Sequence, residues 1–260
     1  GSFEGDDVPR HSTLGFIASS DNHSARPGTG YKEFERRKMT EARGAIDERW
    51  RRIAFGMPEA AEESISLSQD EVMSVRPFLR LFLERQASFF ITGGLVAVHA
   101  PERSREAIWD SLDRREVYGT SGPRILLWFD LLNGPGGPLP MGSSLALSET
   151  PRFEVRAVGA FEQKPGCPQE SLDGLSPERL ERLCRGECYH ASDSRHPIVA
   201  IEVVRIRPQA HPGEKMEELI EDPWRRFECE PRPDGCVVRF ADPDYADSGR
   251  DVLYYARAIQ

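Results

Sequence analysis

The sequence predicts an α/β region followed by an all-β region, the second an antiparallel, sandwich-like domain. Three observations carry this. Up to residue 132, short apolar runs (LGFIA, LVAV, ILLWFDL) alternate with amphipathic segments of helical period, the pattern of α/β folds. NGPGGPLPMGSS then interrupts any helix, because Gly and Pro cluster there. Beyond it, FEVRAV, IVAIEVVRIR, CVVRFA and VLYYARAI read as strands, several alternating in polarity. The expected division is residues 1–132 and 133–260.

Each element has its own ground. Leu14 to Ala18 is a five-residue apolar run, read as a buried strand that opens into the polar loop SSDNHSARPGTG. A polar loop after a buried strand is where α/β proteins place their chemistry. Met39, Ala42, Ile46, Trp50 and Ile53 step by three, four, four and three residues, so they share one helix face. Ser68 and Glu71 have capping-box spacing before a helix over about Val72 to Phe90, kinked at Pro77. There Phe78, Leu81, Phe82 and Phe89 read as core. Leu95 to Val98 is a second buried strand. Ser104 caps a helix with Ala107, Ile108 and Leu112 inward. VYGTSGPR is a loop, and ILLWFDL a strand. In the β half, Val199, Ile201 and Val203 share one strand face, and a helix spans Pro177 to Arg185. No internal repeat is present.

Composition excludes several function classes. The 34 Lys and Arg against 43 Asp and Glu leave a net charge of -9, and no basic run is free of acids. A phosphate-binding surface is normally basic, so nucleic acid is not the expected partner. No apolar stretch approaches the eighteen or so residues of a membrane span, so no membrane partner is expected either. There is no G-x-S-x-G elbow, P-loop or dinucleotide fingerprint.

The five cysteines, Cys167, Cys184, Cys188, Cys229 and Cys236, all follow residue 166. Five thiols allow buried thiols with one disulfide, two disulfides and a spare, or a structural zinc on four thiolates. Cys184-x3-Cys188 suits zinc loosely, but Cys229 and Cys236 are seven apart. Disulfides are the better reading, and they point to a location outside the cytoplasm.

Asp21 and His23, in SSDNHS, are the leading candidates for chemistry. A carboxylate and an imidazole two residues apart, just past a strand, can turn toward one divalent metal such as zinc or manganese. Spacing alone equally allows an Asx-turn with a surface histidine. Ser24 and Arg26 follow, then Gly28 and Gly30. Arg26 offers a forked contact to an anionic substrate, and the glycines permit close backbone approach.

The string GFIASSDNHSARPGTGYKE resembles the last metal-ligand motif of the PHP (polymerase and histidinol phosphatase) superfamily. More closely it resembles a PHP-related bacterial family described as a domain of unknown function. GGLVAVHAPERSREAIWDSLDRREVYGTSGPRI is similar to that family's final barrel strand, helix and exit loop. HPIVAIEVVRIRPQ, FADPDY and VLYYARAIQ look like its C-terminal β region. The resemblance implies the C-terminal part of a distorted (β/α)7 barrel over 1–132, with a helical insertion, and a β-rich domain over 133–260. It implies a metal-dependent hydrolase of phosphoesters or other esters and amides, with Asp21 and His23 as metal ligands. Arg26 would be catalytic, and Ser24, Arg26 and Arg124 would bind a small-molecule substrate. The H-x-H motif that supplies the other ligands is missing before Asp21. The metal site is therefore expected to be incomplete, and the chain a fragment without its N-terminal half. Gly1-Ser2 reads as a tag-cleavage scar. A non-catalytic binding or structural module with an orphan D-x-H is the alternative.

Other signals read as structural. His99 ends a strand. Ser121 and Arg124 lie in a turn, with pocket lining as their functional reading. His190, His196 and His211 sit among polar residues at the surface. Asp242, Asp244, Asp247 and Asp251 form a polar hairpin turn that lacks the closing Glu of a calcium loop. A partial barrel would leave an open strand edge, which predicts self-association or repacking.

Overall fold

The computed structural model describes residues 14–19, 32, 49, 52–53, 66–74, 77 and 94–260. In chain order its strands are β1 Leu95–Val98, β2 Val117–Thr120, β3 Leu126–Leu131, β4 Arg152–Val158, β5 Phe161–Gln163, β6 Ala191–Arg195, β7 Ala200–Ile206, β8 Ile220–Glu228, β9 Cys236–Ala241 and β10 Leu253–Ile259. The helices are α1 Gln69–Ser74, α2 Arg105–Asp113, α3 Gln169–Gly174, α4 Pro177–Cys184 and α5 Tyr245–Ser248.

These strands form small antiparallel sheets: β1-β2, β3-β4-β9, β10-β7-β8 and β5-β6. The expected (β/α)7 barrel is overturned. β1 runs antiparallel to β2, Leu95 facing Thr120, and β3 runs antiparallel to β4, so no parallel barrel wall forms among the described residues. The physical reason is plain. An apolar run of four to six residues reports burial but not the direction of its neighbour. β2 lies within the segment read as a loop. Its Val117 and Tyr118 are buried, which outweighs the turn formers after Thr120.

Two three-stranded sheets share one core. From the first come Leu127, Phe153, Val155, Ala157 and Phe240, and from the second Ile201 and Val203, with Tyr118 of β2 and Ile198 joining them. Phe153 meets Tyr254 at 4.7 Å and Phe240 at 5.2 Å between ring centres. Such aromatic pairs add about 0.5–1.5 kcal/mol each beyond burial. β4 shows why: its buried residues Phe153, Val155 and Ala157 alternate with exposed Arg152 and Arg156, the period-2 pattern of a one-sided strand.

β8, whose run EDPWRRFE looks too charged and contains Pro223, was not expected. It pairs with β7 at the sheet edge, where a proline needs no ladder donor. Its Arg226 pairs instead with Glu202 at 2.6 Å. The LGFIA strand is also corrected. Residues 14–19 have no regular structure, and Leu14 and Ile17 are more than 70% exposed. In α2 the cap is as expected, Ser104 Oγ accepting from the Ala107 amide at 3.2 Å. The buried residue, however, is Ser111, and Ile108 and Leu112 are exposed.

The capping box stands. Glu71 accepts from the Ser68 amide at 2.7 Å and the Glu71 amide donates to Ser68 Oγ at 3.3 Å. In the two expected N-terminal helices, Arg49, Arg52, Ile53 and Pro77 are helical, and Ile53 is exposed rather than inward. Phe78, Leu81, Phe82 and Phe89 lie outside the described residues. No helix among the described residues is long and apolar enough to cross a membrane.

Candidate functional site

Asp21, His23, Ser24 and Arg26 lie outside the described residues, but both flanks of their loop are placed. On the N-terminal flank, the backbone at Ala18 and Ser19 passes over the open end of the β1–β2 pair. Gly94 stands where two carbonyls converge: a β-carbon there would lie 3.0 Å from the Thr120 oxygen and 3.1 Å from the Ser19 oxygen. At Gly119 it would meet the Ala18 β-carbon at 2.9 Å. Two glycines thus admit the chain two residues before Asp21, as close backbone approach requires.

The C-terminal flank is held by Lys32. Its side chain is 1% exposed, and its Nζ donates to Glu187 Oε2 at 2.7 Å and to the Gly166 carbonyl at 2.8 Å. Glu187 Oε2 also accepts from the Gly166 amide at 2.9 Å. A buried lysine is stable only when paired and hydrogen-bonded in this way. Ser19 and Lys32, on either side of the motif, are thus placed at the β1–β2 end and beside the 166–187 region. Sequence reasoning missed Lys32, Gly166 and Glu187. A Lys–Glu pair 155 positions apart leaves no local pattern.

Arg124 leaves the same end of β2 in the following loop. It is exposed, and its guanidinium lies 4.0 Å over the Tyr189 ring, two residues beyond Glu187. Stacking of this kind is worth about 0.5–1 kcal/mol at exposed sites. The structure thus brings Arg124 beside the segment that anchors Lys32. Ser121 is exposed in that loop. His99 has a structural place: its Nε2 is 2.8 Å from the Leu127 carbonyl, and its ring packs near Tyr118 and Trp128. His190 and His196 are half-buried and His211 is exposed; His190 Nδ1 lies 3.1 Å from the Pro165 carbonyl.

The reading of Asp242 as part of a polar hairpin turn is corrected, since β9 and β10 lie in different sheets. It is fully buried, accepting from Arg205 at 2.7 Å and from the Tyr254 hydroxyl at 2.6 Å. Arg205 also forks onto Glu221 at 2.6 and 2.9 Å. Burial pushes the Asp242 carboxyl up, but the Tyr254 and Arg205 bonds outweigh it and hold the group below the ordinary range. This network closes one end of the shared core and has every partner it needs.

The cysteines form two disulfides, Cys167–Cys188 and Cys229–Cys236, and leave Cys184 as a buried thiol. Two disulfides and a spare was one of the sequence readings, and such bonds indicate an oxidising environment. Among the described residues, the His, Cys, Asp or Glu side chains close enough to share one ion are Cys167, Cys184 and Cys188. No described carboxylate–imidazole trio adds to Asp21 and His23. The donor chemistry of that pair suits zinc or manganese, yet two ligands do not complete a site.

No curated protein and no solved structure matches the chain. Residues 11–130, which include the D-x-H loop, its N-terminal support at β1–β2, and Arg124, match a family described as "Protein of unknown function (DUF3604)".

Proposed function

We propose that this chain carries part of a metal-dependent hydrolase acting on a small anionic or polar substrate, a phosphoester or another ester or amide. The supporting observation is the D-x-H spacing of Asp21 and His23 in SSDNHS, with Ser19 packed against Gly94 before it and Lys32 bound to Glu187 after it. In this reading Asp21 and His23 supply two ligands, and the remainder come from outside the described residues. A bound divalent ion would lower the pKa of its water and polarise the bond to be cut. Arg26 would fork onto the substrate's anionic oxygens, Ser24 would donate a hydrogen bond, and Arg124 would add positive charge at the rim. The relation to the PHP superfamily belongs to this proposal, as does a location outside the cytoplasm, for which the two disulfides are the ground.

The test is elemental analysis of the oxidised chain beside an Asp21→Ala/His23→Ala double variant. Near-stoichiometric zinc or manganese that is lost in the variant supports the reading, and phosphoester and ester screens then define the substrate. Equal metal content in both chains would refute the D-x-H pair as ligands.

A further inference from the structure

Three sulfurs meet at one point beside the Lys32 anchor. Cys184 closes α4, Cys188 follows four residues later, and Cys167 arrives from the loop after β5. Cys184 Sγ lies 3.6 Å from Cys167 Sγ and 2.6 Å from Cys188 Sγ. The second separation is longer than a bond and shorter than a van der Waals contact. The turn between Cys184 and Cys188 is built for close approach. Arg185 and Gly186 both take positive φ, 50° and 75°. The Glu187 amide donates to the Cys184 carbonyl at 2.8 Å across this reversal, and the Cys184 thiol donates to the Leu180 carbonyl at 3.3 Å. Leu180, Leu175 and the three cysteines form a small, partly buried apolar cluster of their own.

We infer that Cys167, Cys184 and Cys188, once reduced, form a thiolate site for a soft divalent cation such as zinc, alternative to the Cys167–Cys188 disulfide. Thiolates select such ions, and three protein ligands leave the fourth tetrahedral position to water or another ligand. The geometry is near what the ion needs. Zinc–sulfur bonds of about 2.3 Å place tetrahedral sulfurs roughly 3.8 Å apart. Cys167 and Cys184 are close to that spacing at 3.6 Å; once its bond to Cys167 is reduced, Cys188 must withdraw from Cys184 by about an ångström and from Cys167 by nearly two. Three thiolates around a divalent cation carry one net negative charge. The nearby Lys32 ammonium, paired with Glu187, carries the opposite charge.

The exchange between states balances. A dithiol reductant gives two electrons and two protons to the Cys167–Cys188 bond. That bond breaks, two thiols form, and the reductant closes to its own disulfide. The cation then displaces three protons from three thiols and forms three metal–sulfur bonds.

The experiment uses the full chain, reduced with a phosphine and titrated with cobalt(II), then with zinc. The expected result is one equivalent of cobalt with intense thiolate-to-metal charge-transfer absorption, displaced by zinc. Cys184→Ser should weaken binding roughly a hundredfold. Its Cys167–Cys188 disulfide still forms on oxidation, and circular dichroism confirms the fold. Asp21→Ala/His23→Ala should leave the band unchanged, which separates this site from the D-x-H motif. Absence of the charge-transfer band at saturating cobalt, or a cobalt affinity left unchanged by Cys184→Ser, would overturn the inference.

Discussion

Replacing Asp242 by Ala should destabilise the protein by about 3 kcal/mol. The carboxylate is 0% exposed and accepts from Arg205 at 2.7 Å, Tyr254 Oη at 2.6 Å and the Asp244 amide at 3.1 Å. Truncating one member of a buried charge pair costs about 3–5 kcal/mol, because the other charge is left without compensation. Here Arg205 keeps its fork to Glu221, which places the cost at the low end. With a urea slope of about 2–3 kcal/mol/M, the midpoint falls by about 1–1.5 M. Tyr254→Phe by itself loses a hydrogen bond to a charged acceptor, about 1.5–3 kcal/mol. In the Asp242→Ala background it should cost almost nothing, since its acceptor is gone. A loss below about 1 kcal/mol for Asp242→Ala, or full additivity of the pair, would refute the account of one closed network.

Other outcomes follow from the same structure. Asp242 is held below its unfolded value of about 3.9. Its contribution is therefore complete above that value and is lost as pH falls through the folded pKa; acid unfolding should shift to higher pH in Asp242→Asn. Gly159→Ala would set a β-carbon 1.8 Å from the His196 carbonyl, so β4 and the β6–β7 connection must part. About 2–3 kcal/mol should be lost, read as a fall in thermal midpoint, and an unchanged midpoint would show that the two segments separate freely. Lys32→Met leaves Glu187 without its cation and should cost about 3 kcal/mol, read as a fall in the urea midpoint. Cys229→Ser/Cys236→Ser opens a short loop joining β8 to β9 and should cost about 2 kcal/mol, a difference that vanishes when wild type is compared under reduction.

Much of the β region was legible because one-sided strands write their period into the chain. Phe153, Val155 and Ala157 alternate with polar neighbours in β4, while β7, buried on both faces, β9 and β10 fall where the apolar runs place them. Caps were legible for a similar reason: Ser68 with Glu71, and Ser104, act within one turn of chain. β8 was hidden because an edge strand faces solvent and tolerates charge and proline. LGFIA misled because apolar composition does not state what will cover it. At the candidate site, the D-x-H loop and Arg124 were visible as residue types.

The amino-acid sequence by itself determined which residues can carry chemistry, where the strands of the β region lie, and that five thiols could not all pair. Only the tertiary structure decided strand direction, and with it the loss of the barrel. It alone joined Lys32 to Glu187, Arg124 to Tyr189, and Asp242 to Arg205 and Tyr254. The physical reason is range. Period, caps and turns are set by atoms a few residues apart, whereas these pairs form only when the packed core brings distant segments together and removes the water between them.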